Sequence, residues 1–238
     1  MTHRLDSLSR GQYAGLVEGE PVEARRGQGR HSRSLTGSVG AVRTHNGPRL
    51  VLASASPARR KLLQAAGIEP EVLVSGVDES VIEAATAEEL CLTLARMKAE
   101  AVRQPDALVL GCDSVLAFEG EILGKPADAD EATKRWLRMR GRSGVLHTGH
   151  FLIDGDSRAE AVAKTTVWFA DVSDAEIAAY VATGEPLLVA GAFTIDGIGG
   201  AFIERVEGDH GNVIGLSLPL LRRLLGELGY SITDLWRR

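Results

Sequence analysis

Asp113 lies in the middle of ALVLGCDSVLAF, an apolar run where an ionised carboxylate is costly unless it is paired or bound to a cation. Asp78 and Glu79 close the segment EVLVSGVDES, Lys98 interrupts the helical run TAEELCLTLARMKAEAVR, and Lys125 stands between Gly124 and Pro126 in ILGKP. Upstream, LVLASASPARR places two adjacent arginines just where a helix begins. Ser56 and Pro57 fit the N-cap and first helical positions, so Arg59 and Arg60 fall in the first turn. The helix dipole disfavours a cation there by roughly 0.3–1 kcal/mol. An anion resting on the Ser54–Ser56 turn would reverse that balance. Each of these charges alone reads equally well as a solvated side chain. Together they supply a polyphosphate–metal site, with carboxylates for a hard divalent cation and guanidinium and ammonium groups for phosphate oxygens.

Other motifs carry less. GIGGAF is neither a dinucleotide fingerprint nor a phosphate loop and reads as a flexible turn. GLSLP lacks the second glycine of a nucleophile elbow. His147 and His150 in HTGH are three residues apart, which on a strand places them on opposite faces, so they read as satisfied histidines rather than a metal pair. Cys91 and Cys112 sit in apolar surroundings without ligand spacing and read as reduced core residues.

The elements that must position these residues alternate between strand and helix from Arg49 onward. LVLA reads as a strand and PARRKLLQAAG as a helix closed by Gly67; EVLV is a strand, and Thr86 with Glu89 opens an amphipathic helix. ALVLGCDSVLAF reads as a buried strand that turns at Glu119 and Gly120 and returns through EILGKP. The helix DADEATKRWLRMRG follows, then two long adjacent strands, VLHTGHFLID and EAVAKTTVWFA. Ser173 caps the helix SDAEIAAYVATG, GAFTID and AFIERVEG read as short strands, and GLSLPLLRRLLGELG as a closing helix. The pattern is α/β, with helices on a mixed sheet.

Composition sets the frame. The chain has 238 residues, 44% hydrophobic and 25% charged, enough to bury a core as one large domain or two lobes. The formal charge of −5 gives no reason to expect binding to nucleic acid or an anionic membrane surface. No apolar run approaches the roughly 20 residues that span a bilayer, and the N-terminus lacks a signal-peptide core, so a cytoplasmic protein is expected. Residues 1–48 carry seven arginines against Asp6, Glu18, Glu20 and Glu23, a local excess of +3 that leaves −8 of the total −5 on the rest of the chain. This stretch lacks apolar periodicity and reads as a disordered N-terminal extension, with residues 49–238 as the working domain.

The segments LASASPARRKLLQAAG, GVDES, LARMKAEA, GCDSV, GEILGKPADADEA, HTG, GEPLLVAGAFTIDG and ERVEGDHGNVIGLSL, in this order, resemble the Maf family of nucleoside triphosphate pyrophosphatases over residues 50–228. The resemblance implies the Maf/Ham1, ITPase-like fold: an elongated mixed sheet flanked by helices, with two lobes around a nucleotide cleft, often as a homodimer. It implies an enzyme that uses Mg²⁺ or Mn²⁺ to split a nucleoside triphosphate into the monophosphate and pyrophosphate, clearing modified or non-canonical nucleotides. On this resemblance Asp113 is the proton acceptor and, with Glu79, lies at the metal; Lys98 and Lys125 face the phosphates, and Arg59 is the motif arginine of SxSPxR. A nucleotide-binding regulator of cell division and septum formation with little turnover is the alternative.

This chain departs from the family at the residues that read the base. Ala58, Ser114 and Asp196 stand where pyrimidine-type members carry Arg, Thr and Gln and 7-methylguanine-type members carry Trp, Gln and Glu. An ionised aspartate only accepts hydrogen bonds, so Asp196 favours a base edge with adjacent donors, such as that of a guanine-like base. Ser114, with a hydroxyl that both donates and accepts, could take over that reading if the shorter aspartate falls short of the base.

Overall fold

The computed structural model describes residues 47–79, 82 and 84–237. The expected extension over residues 1–48 falls, apart from Gly47 and Pro48, outside the described residues. The strands β1 (Leu50–Leu52), β2 (Glu71–Val72), β3 (Leu108–Phe118), β4 (Glu121–Leu123), β5 (Ser143–Asp154), β6 (Ser157–Phe169) and β7 (Ile203–Glu207) form one seven-stranded sheet. Its order is β2-β1-β3-β5-β6-β7, with β4 also paired to β3. β1 is parallel to β2 and β3, and the remaining pairings are antiparallel.

The helices begin where local capping chemistry dictates. In α1 (Pro57–Ala65) the Ser56 hydroxyl accepts from the Arg59 amide, and at the far end the amides of Gly67 and Ile68 return to the carbonyls of Gln64 and Leu63. Thr86 caps α2 (Ala87–Ala101), Asp128 caps α3 (Ala129–Met139), and Ser173 with Glu176 forms a capping box on α4 (Asp174–Ala182). The expected closing helix GLSLPLLRRLLGELG is α6 (Leu218–Glu227), and a short α5 (His210–Ile214) precedes it. EVLV contributes only the two residues of β2.

GAFTID is not a strand. It begins in a 3-10 turn in which Gly191 and Ala192 have φ of 72° and 61°, the left-handed region that an extended chain cannot adopt. Its apolar residues are nevertheless used: Ala192 and Phe193 are buried in a core with Trp136, Phe169 and Tyr180.

β3 organises the packing through its alternation. One face carries Leu108, Leu110 and Cys112, buried with α1 and α6, and then Leu116 and Phe118, buried with α3 and α4. The other face carries Val109 in a third cluster and Val115 in a fourth, both under α2. Each face therefore has apolar packing at both ends and a polar residue between: Ser114 on the first, Asp113 on the second. Cys91 and Cys112 are buried free thiols, and burial pushes both up to about 12.

α2 lies close on the second face because the sheet offers no side chain at two points beneath it, Gly111 and Gly149. A Cβ at Gly111 would stand 2.0 Å from the Ala95 carbonyl oxygen, and one at Gly149 would stand 2.3 Å from that of Cys91. That proximity brings Lys98 within reach of the strand.

Candidate active site

The strand order opens a gap over the polar middle of β3. One edge of β3 is covered along its length by β5, whereas the other pairs with β1 up to Leu110 and with β4 from Leu116 onward. Positions 111–115 have no strand partner on that edge among the described residues. β1 runs parallel to β3 and β4 runs antiparallel, so the carboxyl ends of both point into the gap from opposite sides. The turn Ser54–Ser56 leaves one end and Gly124–Lys125 leaves the other. Loops following carboxyl strand ends are where open α/β sheets hold ligands.

On the α2 face, the Lys98 ammonium stands 2.6 Å from an Asp113 carboxylate oxygen and 2.7 Å from one of Glu79. Asp113 is 7% exposed and Lys98 8%. Burial raises the Asp113 carboxyl above its ordinary value, and Glu79 adds to this, against the pull of the Lys98 ammonium and the Arg59 guanidinium. The result is a buried carboxylate held by an ammonium and disposed to take a proton.

On the opposite face, Arg59 spends three of its five N–H donors inside the protein: Nε on the Gly215 carbonyl at 2.7 Å, and the two terminal nitrogens on the Ser54 and Ser114 hydroxyls at 3.1 and 3.0 Å. The arginine that is awkward at a bare helix start thus finds acceptors there and beyond it, tying the turn before α1, β3 and the turn before α6 together. The Ser114 and Thr148 hydroxyls are 2.9 Å apart, and Thr148 donates to the Asn212 carbonyl. With that proton spent, Thr148 can only accept from Ser114. Ser114 therefore accepts from Arg59, donates to Thr148, and keeps one lone pair.

The remaining expected residues are spread around the gap. Ser54 is buried, its hydroxyl also accepting from the Ser56 amide, while Ala58 is half-buried on the first turn of α1. Lys125 is exposed at the β4 side, its loop fixed where the Gly124 carbonyl accepts from Arg135 and from the Gly191 amide at 2.6 and 3.0 Å. Asp196 is exposed. Arg60 is not brought into the cluster; it is exposed and lies 3.6 Å from Glu69, which also binds Arg237. His147 and His150 point to opposite faces, as the strand offset requires, and each has a backbone carbonyl partner. Asn212, Thr148 and Arg135 shape the site without having stood out in the sequence. Thr148 lies in the HTG segment, and its alternation with Leu146 and Leu152 on the same face of β5 was the available signal.

Fold and site together define an α/β protein that sets a buried carboxylate–ammonium pair and a serine-rich helix start around one open strand edge. The chain belongs to the Maf family: the family model described as Maf-like protein matches residues 49–228. It is 69% identical over 199 residues to a nucleoside triphosphate pyrophosphatase of Salinispora tropica, covering 80% of this chain and 88% of that protein. Proteins of the same name from Streptomyces avermitilis and Nostoc punctiforme are 61% and 57% identical over 194 residues, covering 79% and 80% of this chain and 94% and 98% of theirs.

Proposed function

We propose that this chain hydrolyses a nucleoside triphosphate to the monophosphate and pyrophosphate, as its relatives are named for doing, in the gap on β3. The observation that carries this reading is Asp113, a buried carboxylate bonded to Lys98 at a stretch of β3 left open, among the described residues, between two strand ends. Asp113 takes the proton from a water whose oxygen bonds to the α-phosphorus while the bond to the bridging oxygen breaks and pyrophosphate leaves. Lys98, Lys125 and Arg59 spread the phosphate charge, and the Ser54–Ser56 turn with the Ala58 amide cradles an oxygen.

The donors suit a divalent cation. Glu79 and Asp113 already converge on one cationic group, and both offer the hard oxygens that Mg²⁺ or Mn²⁺ takes. A cation bound through these two carboxylates would complete its shell with substrate phosphate oxygens and water. Held by Glu79 and Asp113, it would supply charge neutralisation on the phosphate oxygens.

For the base, Ser114 retains an acceptor only and Asp196 is an acceptor, so the reading leans to a donor-bearing, guanine-like edge. Clearance of modified nucleotides, in the cytoplasm and as a homodimer, completes the reading. No helix among the described residues is long and apolar enough to cross a membrane.

The test is product identification over a panel of nucleotides with Mg²⁺ or Mn²⁺. Pyrophosphate should appear first and a chelator should stop its release. Orthophosphate as the first product would sink the assignment.

A further inference from the structure

Glu185 takes no part in the cluster around Asp113, yet its carboxylate closes a loop whose root packs on the other face of β3, the face of Leu116 and Ser114. One oxygen accepts from the Tyr180 hydroxyl, the Thr194 hydroxyl and the Gly199 amide at 3.1, 2.6 and 2.9 Å, and the other accepts from the Ile198 amide at 3.0 Å. The donors come from α4 and from residues 194–199. Side chains are absent where the carboxylate needs room: a Cβ at Gly197 would stand 2.6 Å from it, and one at Gly199 would stand 2.3 Å from the Tyr180 hydroxyl oxygen. Burial pushes the Glu185 carboxyl up, but the bonds from Thr194, Gly199, Ile198 and Tyr180 together outweigh it and hold it below the ordinary carboxylate range.

The root of the loop borders the gap. It is pinned beside Lys125 by the Gly191 amide on the Gly124 carbonyl, and by the Trp136 ring nitrogen donating to the Ala192 carbonyl at 2.7 Å. A Cβ at Gly191 would touch Leu116, the β3 residue at which β4 takes over the edge. Between that root and the Glu185 anchor, Asp196 is left exposed. The chain thus spends a full set of acceptors on the shape of six loop residues that carry one free carboxylate.

We propose that Glu185 is a positioning residue for substrate recognition: it fixes residues 194–199 and, through Asp196, sets the selectivity among nucleobases without entering the chemistry. This rests on the reading of the site given above.

The test is Glu185→Gln, which keeps the volume but replaces an acceptor with a donor facing N–H and O–H groups. On a panel of purine and pyrimidine nucleoside triphosphates, kcat on the best substrate should stay within about threefold, KM should rise about tenfold, and the spread of kcat/KM across the panel should shrink about tenfold. Hydrogen exchange at the Ile198 and Gly199 amides should speed up about tenfold or more. In an Asp196→Asn background the same change should alter the spread by less than about twofold. An unchanged KM and spread in the folded variant overturns the proposal, and so does a fall in kcat alone or an undiminished effect without Asp196. If Glu185→Gln does not fold, Thr194→Val, which deletes only the 2.6 Å donor, should move KM and the spread in the same direction, and its failure to do so is equally fatal. Should the unmodified protein release no pyrophosphate from any nucleotide, the hydrolase reading fails by itself, and the amide exchange still decides whether Glu185 fixes the loop.

Discussion

His150 should make this protein sensitive to mild acid, and its geometry gives the size of the effect. The backbone N–H of Ser217 donates to its Nε2 at 2.8 Å, so that nitrogen must be bare, and the proton sits on Nδ1, which faces the Thr148 carbonyl at 3.0 Å. The ring is fully buried, and this burial lowers its pKa from 6.5 to about 4. The unfolded chain takes up a proton near pH 6.5 that the folded chain refuses until about pH 4. Folding stability is therefore complete above pH 6.5 and falls as pH drops through this window, by roughly 1.4 kcal/mol per unit and about 3 kcal/mol in all. Protonation would also set two N–H groups against each other at the start of α6. The assay is urea unfolding at intervals from pH 7.5 to 4.5, comparing the unmodified protein with His150→Gln, whose side-chain oxygen can still accept from Ser217. The variant should be less stable at neutral pH but lose less on acidification, the difference between the two closing by about 2–3 kcal/mol. Parallel stability curves over that range would refute the reasoning.

Other expectations follow from single contacts. Asp113→Asn keeps the shape and removes the base, so turnover should fall by about 10² to 10⁴ with folding intact; near-normal turnover would remove Asp113 from the mechanism. Arg59→Lys cannot reach Gly215, Ser54 and Ser114 together, and urea unfolding should show a loss of about 2 kcal/mol, whereas no loss would mean that the three bonds are dispensable. Gly149→Val drives a side chain into the backbone of α2, so stability should drop by about 3 kcal/mol and turnover should fall with it as Lys98 is displaced; a silent variant would contradict the close seating of that helix.

Much of this architecture was legible because its signals are local. Ser56, Thr86 and Ser173 announce helix starts through hydrogen bonds that span three residues, and the run around Asp113 is apolar enough to be a buried strand. What escaped depends on distance. GAFTID has the composition of a strand, but Gly191 and Ala192 turn left-handed and Glu185, nine residues before Thr194, gathers the loop around itself. The pairing of Lys98 with Asp113 needs α2 seated on glycines from two strands. Arg59 finds its carbonyl partner 156 residues away, and nothing in the first turn of α1 points there. The charges that could do chemistry were recognisable by type; which of them would meet, and that Arg60 would not join them, was decided by tertiary packing.

The interrupted edge of β3 also bears on what can pair with the sheet. An unpaired strand edge ordinarily recruits strands from other molecules and seeds aggregation. Here the free stretch covers positions 111–115, about 16 Å at roughly 3.3 Å per residue, and is closed at both ends by chain turning out of β1 and β4. A foreign strand of typical length collides with those ends, whereas a small molecule does not. The outer edges are blunted by other means: β2 has only two residues, and β7 carries Glu204, Arg205 and Glu207. The backbone left open at the centre of the sheet, among the described residues, is thus too short a stretch for another polypeptide strand.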